Sequence, residues 1–138
     1  MLPIFTYGTL MYQPLWLKIA EHQRLPIPAV TKGFARCSIE NSLSCSLVAA
    51  AGGHVAGMLY GGLSESEIVR LDEYTASLFE RVQLQVVTPN ETIVAYSYVI
   101  KPEFESRILP KTWNQRRFEH FGLLRLLANP GTDLAATA

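Results

Sequence analysis

Val55-Ala56-Gly57-Met58-Leu59-Tyr60 is an apolar run of strand length with no charged side chain on either face. A strand with one wet face alternates apolar with polar residues, so a run that does not alternate predicts a central strand covered on both sides. It stops at Gly61-Gly62. Ser64 then stands three residues before Glu67, the reciprocal cap that satisfies free amides at a helix start, and a helix over about 65–74 follows. Phe79 to Thr88 alternates Val82, Leu84 and Val86 with Arg81, Gln83 and Gln85, and Pro89-Asn90-Glu91 turns it into an apolar stretch from Thr92 to Ile100, a hairpin. On the N-terminal side, Gly52-Gly53 predicts a turn closing the segment after Ile39, and Ala29 to Ile39 reads as extended with a bulge at Gly33. Leu2 to Tyr7 reads as a strand stopped by Gly8, and Leu15, Trp16, Ile19 and Ala20 recur at helical spacing before Pro26 and Pro28 end the pattern. Beyond Pro102 comes a polar link, then a helical segment over about 112–128 bearing Trp113, Phe118, Phe121, Leu124 and Leu127. The last residues read as disordered.

Many short strands with few helices bury both faces of a sheet most simply by closing it. The expected fold is therefore α+β, a small mixed β-barrel with a few flanking helices. At 138 residues, with 49% hydrophobic and 17% charged side chains, the chain has enough apolar surface for one core and a ligand cleft but not comfortably for two domains. Twelve basic residues balance twelve acidic ones, which argues against nucleic-acid or anionic-membrane partners. Cys37 and Cys45 have no His or Asp nearby in sequence, so they are expected as reduced, buried apolar residues rather than metal ligands. The N-terminus lacks the basic, apolar and small-residue order of a signal peptide, and no apolar run reaches the ~20 residues that span a bilayer. A cytoplasmic location is the expectation.

The loop Tyr7-Gly8-Thr9-Leu10 directly follows a strand, where a glycine lets backbone approach a ligand and adjacent amides hold a carboxylate or oxyanion. Taken alone it reads more simply as a turn. Taken in order with Gly33-Phe34, Val55 to Tyr60, Leu71-Asp72 and Arg81, the run Phe5 to Met11 resembles the AIG2-like, or γ-glutamylcyclotransferase-like, family over roughly residues 2–100. The resemblance implies one domain of that type over 1–138, and a cavity in which a γ-glutamyl group is cyclised to 5-oxoproline with release of an amino acid or amine. It implies no metal or organic cofactor. It makes Tyr7, Gly8, Thr9 and Leu10 substrate-binding residues, and it places the family's general-base glutamate on Thr75, with the usual following glycine on Ala76.

An α-amine must be neutral to attack the γ-carbonyl, and a Thr hydroxyl without its own activating base cannot accept the proton of an ammonium group. Glu73 lies about 200° round the helix from Thr75, and Glu80 alternates away from Phe79 and Arg81, so neither is expected to substitute. Glu40 is an outside candidate. Asp72 is expected to hold the turn or pair with Arg81. His22, His54 and His120 read as solvated or capping residues, Arg116-Arg117 as a polar face, and Trp113, Phe118 and Phe121 as core. Tyr60 and Tyr96 lie on strands, as core or at the border of the cavity.

Three functions are compatible with these residues. One is an amine-releasing γ-glutamyl cyclotransferase of weak turnover. The second is a non-catalytic module binding a small γ-glutamyl or carboxylate ligand on the same fold. The third is a barrel kept for partner contacts through its C-terminal segment. The sequence does not fix an oligomeric state.

Overall fold

A computed structural model describes residues 1–131; the ending read as disordered falls on 132–138 and lies outside them. The chain runs β1 (Ile4–Thr6), a 3-10 turn (Thr9–Met11), α1 (Gln13–Ala20), β2 (Ile27–Ile39), β3 (Cys45–Tyr60), α2 (Glu65–Thr75), β4 (Phe79–Val87), β5 (Thr92–Ile100), a 3-10 segment (Pro102–Arg107) and β6 (Ile108–Thr112). The last helical stretch consists of α3 (Gln115–Arg117), a π-helical turn (Phe118–Gly122) and α4 (Leu123–Ala128). The sheet order is β3-β1-β5-β4-β2-β6, and β2 also pairs with β3, which closes the first five strands into a barrel. All its pairings are antiparallel except β1 with β5, where Ile4 stands opposite Tyr96. This is the mixed α+β barrel that the apolar patterning predicts.

Val55 to Tyr60 is central, with β1 on one side and β2 on the other. One face, Val55, Gly57 and Leu59, is buried throughout, while the other is exposed at Ala56, half-buried at Met58 and buried at Tyr60. Val55 and Leu59 join Phe5, Ala29, Val86 and Ala95 in one cluster, while Tyr60 joins Ile4, Trp16, Ile68 and Leu71 in another, beneath α1 and α2. Trp16 stacks on Tyr60 with ring centroids 3.8 Å apart and planes within 2°, so both aromatics are core. Ser64 caps α2 through the reciprocal bonds its spacing from Glu67 predicts.

Three expectations are corrected. Gly52-Gly53 is no turn: β3 continues through it, and the chain reverses earlier, at residues 40–44. The pairing of β2 with β3 is irregular between Lys32 and Phe34, which is the bulge expected at Gly33 (φ 85°), and Gly52 (φ 76°) lies on the facing stretch of β3 within the same irregularity. The polar link after Pro102 contains β6, which pairs with the far half of β2 through Cys37–Thr112 and Ile39–Ile108. Phe121 is not core but 70% exposed, whereas Trp113 and Phe118 are buried. The π-helical turn adds a residue to the helical period, so an apolar stripe spaced for 3.6 residues per turn loses phase there.

Candidate active-site pocket

A narrow cavity of about 50 Å³ opens where β1 ends. The loop Tyr7-Gly8-Thr9-Leu10 forms one wall, and Thr75, at the C-terminal end of α2, faces it across the space with Tyr74, Phe79, Tyr98 and Cys45. The loop conformation follows from a 3-10 turn whose first hydrogen bond runs from the Met11 N–H to the Gly8 carbonyl at 3.0 Å. The amides of Gly8, Thr9 and Leu10 precede that bond and have no acceptor within the turn. A Cβ on Gly8 would sit 2.7 Å from Cys45 Sγ, so a larger residue at the head of the loop would force the buried Cys45 side chain to shift.

Two tyrosines and an ion pair brace the wall. The buried Tyr7 hydroxyl donates to the Tyr98 carbonyl at 2.5 Å, and the Tyr98 hydroxyl donates to Asp72 Oδ1 at 2.6 Å. Arg81 Nε donates to the same Asp72 oxygen at 3.1 Å, and its guanidinium lies 4.2 Å over the Tyr96 ring. Burial pushes the Tyr7 phenol well above the ordinary tyrosine range, with Cys45 adding to it; for Tyr98, burial and then Asp72 act in the same direction. Both phenols therefore stay protonated donors at physiological pH. Asp72 pairs with Arg81, as expected, and is spent on bracing.

Thr75 is 5% exposed, and its hydroxyl donates back along its own helix, to the Leu71 carbonyl at 2.9 Å. No Asp, Glu, His, Lys or Arg side chain lines the cavity. Glu73, Glu80 and Glu40 are exposed and point elsewhere, as are His22, His54 and His120. Three or more His, Cys, Asp or Glu side chains nowhere form a group able to hold a metal ion among the described residues. Sequence reasoning brought the loop and position 75 together but missed Cys45, Tyr98 and Tyr74. Cys45 reads as one more small residue, and only the pairing of β2 with β3 carries the start of β3 to the cavity. The register Arg81–Tyr98 across β4 and β5 was the available signal for Tyr98.

A family model described as gamma-glutamyl cyclotransferase, AIG2-like, matches residues 4–115. The chain belongs to that family. Among solved structures, a protein from Arabidopsis thaliana matches at 21% identity over 91% of this chain and 77% of the other, with a TM-score of 0.71. An AIG2-like protein from Mus musculus matches at 25% identity over 83% and 87%, with a TM-score of 0.62. A yeast gamma-glutamyl cyclotransferase specific to glutathione is 13% identical over 99% and 92%, with a TM-score of 0.61. No curated protein matches the chain. The family match covers the loop at 7–10, Thr75 and the Asp72–Arg81 pair alike.

Proposed function

We propose that this member of the γ-glutamyl cyclotransferase, AIG2-like family binds a small γ-glutamyl compound in the cavity of Tyr7, Gly8, Thr9, Leu10 and Thr75, and cyclises it only weakly. The loop amides hold the glutamate-derived head group and its developing oxyanion. Attack of the α-amine on the γ-carbonyl carbon forms the C–N bond of 5-oxoproline and breaks the bond to the leaving amine, which takes up the proton the attacking nitrogen loses. That proton needs a relay, and the observation carrying the proposal is that the cavity has no carboxylate while Thr75 already donates its hydroxyl to Leu71. Loss of a positioned base removes about 10²–10⁴ in rate, leaving proximity and amide contacts.

The test incubates the protein with a panel of γ-glutamyl amines and γ-glutamyl amino acids and measures 5-oxoproline, wild type against Thr75→Glu. Weak wild-type turnover raised by the glutamate is the expected result. Robust wild-type turnover overturns the assignment of a missing base. Thr75 equally favours a non-catalytic binding module, which predicts ligand-induced thermal stabilisation with no product at all. The absence of stabilisation by any such ligand would favour a barrel kept for partner contacts.

A further inference from the structure

A second concavity, about 700 Å³, lies between the β2–β3 connection, β6 and the C-terminal helical segment, and shares no lining residue with the candidate active-site pocket. Its floor is apolar: Ile39, Leu43, Trp113, Phe118 and Leu126. Its remaining charged residues are all cations, Lys111 on β6, Arg117 on α3 and Arg125 on α4, and no Asp or Glu lines it. Among the described residues none of these three side chains has a hydrogen-bond or ion-pair partner. The acids nearest in sequence lie outside the lining: Glu40 is exposed beyond Ile39, and Glu119 accepts from the Tyr12 hydroxyl. Behind the floor, the Arg36 guanidinium sits 5.1 Å over the Trp113 ring, which adds to the positive field. Phe121 stands on the lining with 70% of its surface exposed.

We infer that this groove binds a short acidic peptide segment that carries an aromatic or long aliphatic side chain. Among the described residues, these three cations on three separate elements have no acidic partner to offset their mutual repulsion. An occupant with several carboxylates relieves all three, whereas a small molecule with a single carboxylate relieves one. The apolar floor and Phe121 offer an anchor point for a large side chain, the part that supplies affinity, while the charges supply orientation and encounter rate. The volume lies within the range of ligand-binding clefts. This inference does not depend on turnover in the other pocket.

The probe is a fluorescein-labelled peptide alternating glutamate with phenylalanine, beside a counterpart with glutamine in place of glutamate, titrated with the full chain and followed by fluorescence anisotropy. Saturable binding of the acidic peptide is expected, weakening as salt rises and weakened about tenfold by the triple variant Lys111→Gln, Arg117→Gln, Arg125→Gln. All three positions are exposed, so the variant should keep the wild-type thermal midpoint, which circular dichroism checks. In heteronuclear spectra the indole N–H of Trp113, which donates to the Leu43 carbonyl at the groove, should move while that of Trp16 stays. The inference is overturned by equal binding of the glutamine peptide, by an unchanged affinity of the folded triple variant, by the absence of binding, or by binding that arises only after residues 132–138 are removed.

Discussion

Thr75 and the glutamate expected at its position differ in one respect that governs the chemistry: a carboxylate can hold a proton taken from an ammonium, and a neutral hydroxyl already committed to the Leu71 carbonyl cannot. Without a base, the rate must follow the fraction of substrate whose α-amine is already free. Turnover should therefore climb about tenfold per pH unit below the pKa of the substrate's α-amine, flattening above it. In Thr75→Glu the carboxylate enters an apolar cavity that lifts its pKa toward neutrality, and turnover near pH 7 should rise by roughly 10²–10⁴ with a plateau reached at lower pH. Initial rates of 5-oxoproline formation across that range, for both proteins, decide this. A flat wild-type profile would mean that the protein does hold a proton acceptor. The position of Thr75 against the loop was legible from family order, whereas its hydroxyl's commitment was not, because an i to i−4 bond depends on rotamer and local packing.

At the scale of the element, α2 is pinned at its start by a charge that sequence reading saw only as a cap. Glu67 has no exposed side-chain surface, and Arg24 clasps it in a fork, Nη2 to Oε1 at 2.5 Å and Nε to Oε2 at 3.1 Å. Burial raises the Glu67 carboxyl pKa, but hydrogen bonds from Arg24 and Ser64 outweigh it and hold the group at about 2, below the ordinary carboxylate range. A depressed folded-state pKa stabilises fully above the unfolded value, so the contribution is complete above about pH 5 and fades as pH falls toward 2. Its size is on the order of 3 kcal/mol at neutral pH, less a discount for the 31% exposure of the Arg24 side chain. Denaturant melts of wild type and Glu67→Gln should differ by about 2 kcal/mol at pH 7 and converge toward pH 2. A gap that stays constant with pH would assign the loss to packing. Capping spacing is local and therefore readable; the partner 43 residues away is not.

For the whole molecule, barrel closure depends on one close approach. A Cβ on Gly57 would lie 2.1 Å from the Thr6 carbonyl oxygen and 2.9 Å from the Phe5 ring, and the oxygen belongs to the backbone of β1, paired with β3 at Thr6–Met58. Gly57→Ala should thus cost about 3 kcal/mol or more, seen as a clear drop in thermal midpoint. Gly61→Ala, whose Cβ meets nothing within 4 Å, is the control and should stay near wild type. Equal midpoints for the two variants would overturn the close-approach argument.

The apolar run Val55 to Tyr60, the alternation in β4 and the Ser64–Glu67 spacing determined by themselves that this chain makes a central strand, a half-buried strand and a capped helix. They are patterns of neighbours, and local periodicity is what a sequence records. Tertiary structure alone decided that β3 runs on through Gly52-Gly53, that β6 exists, and that Cys45, Tyr98 and Thr75 meet around a cavity free of ionised side chains. Those outcomes depend on which distant strand edges pair and in what register, and pairing energy is set by surfaces that come together only when the barrel closes.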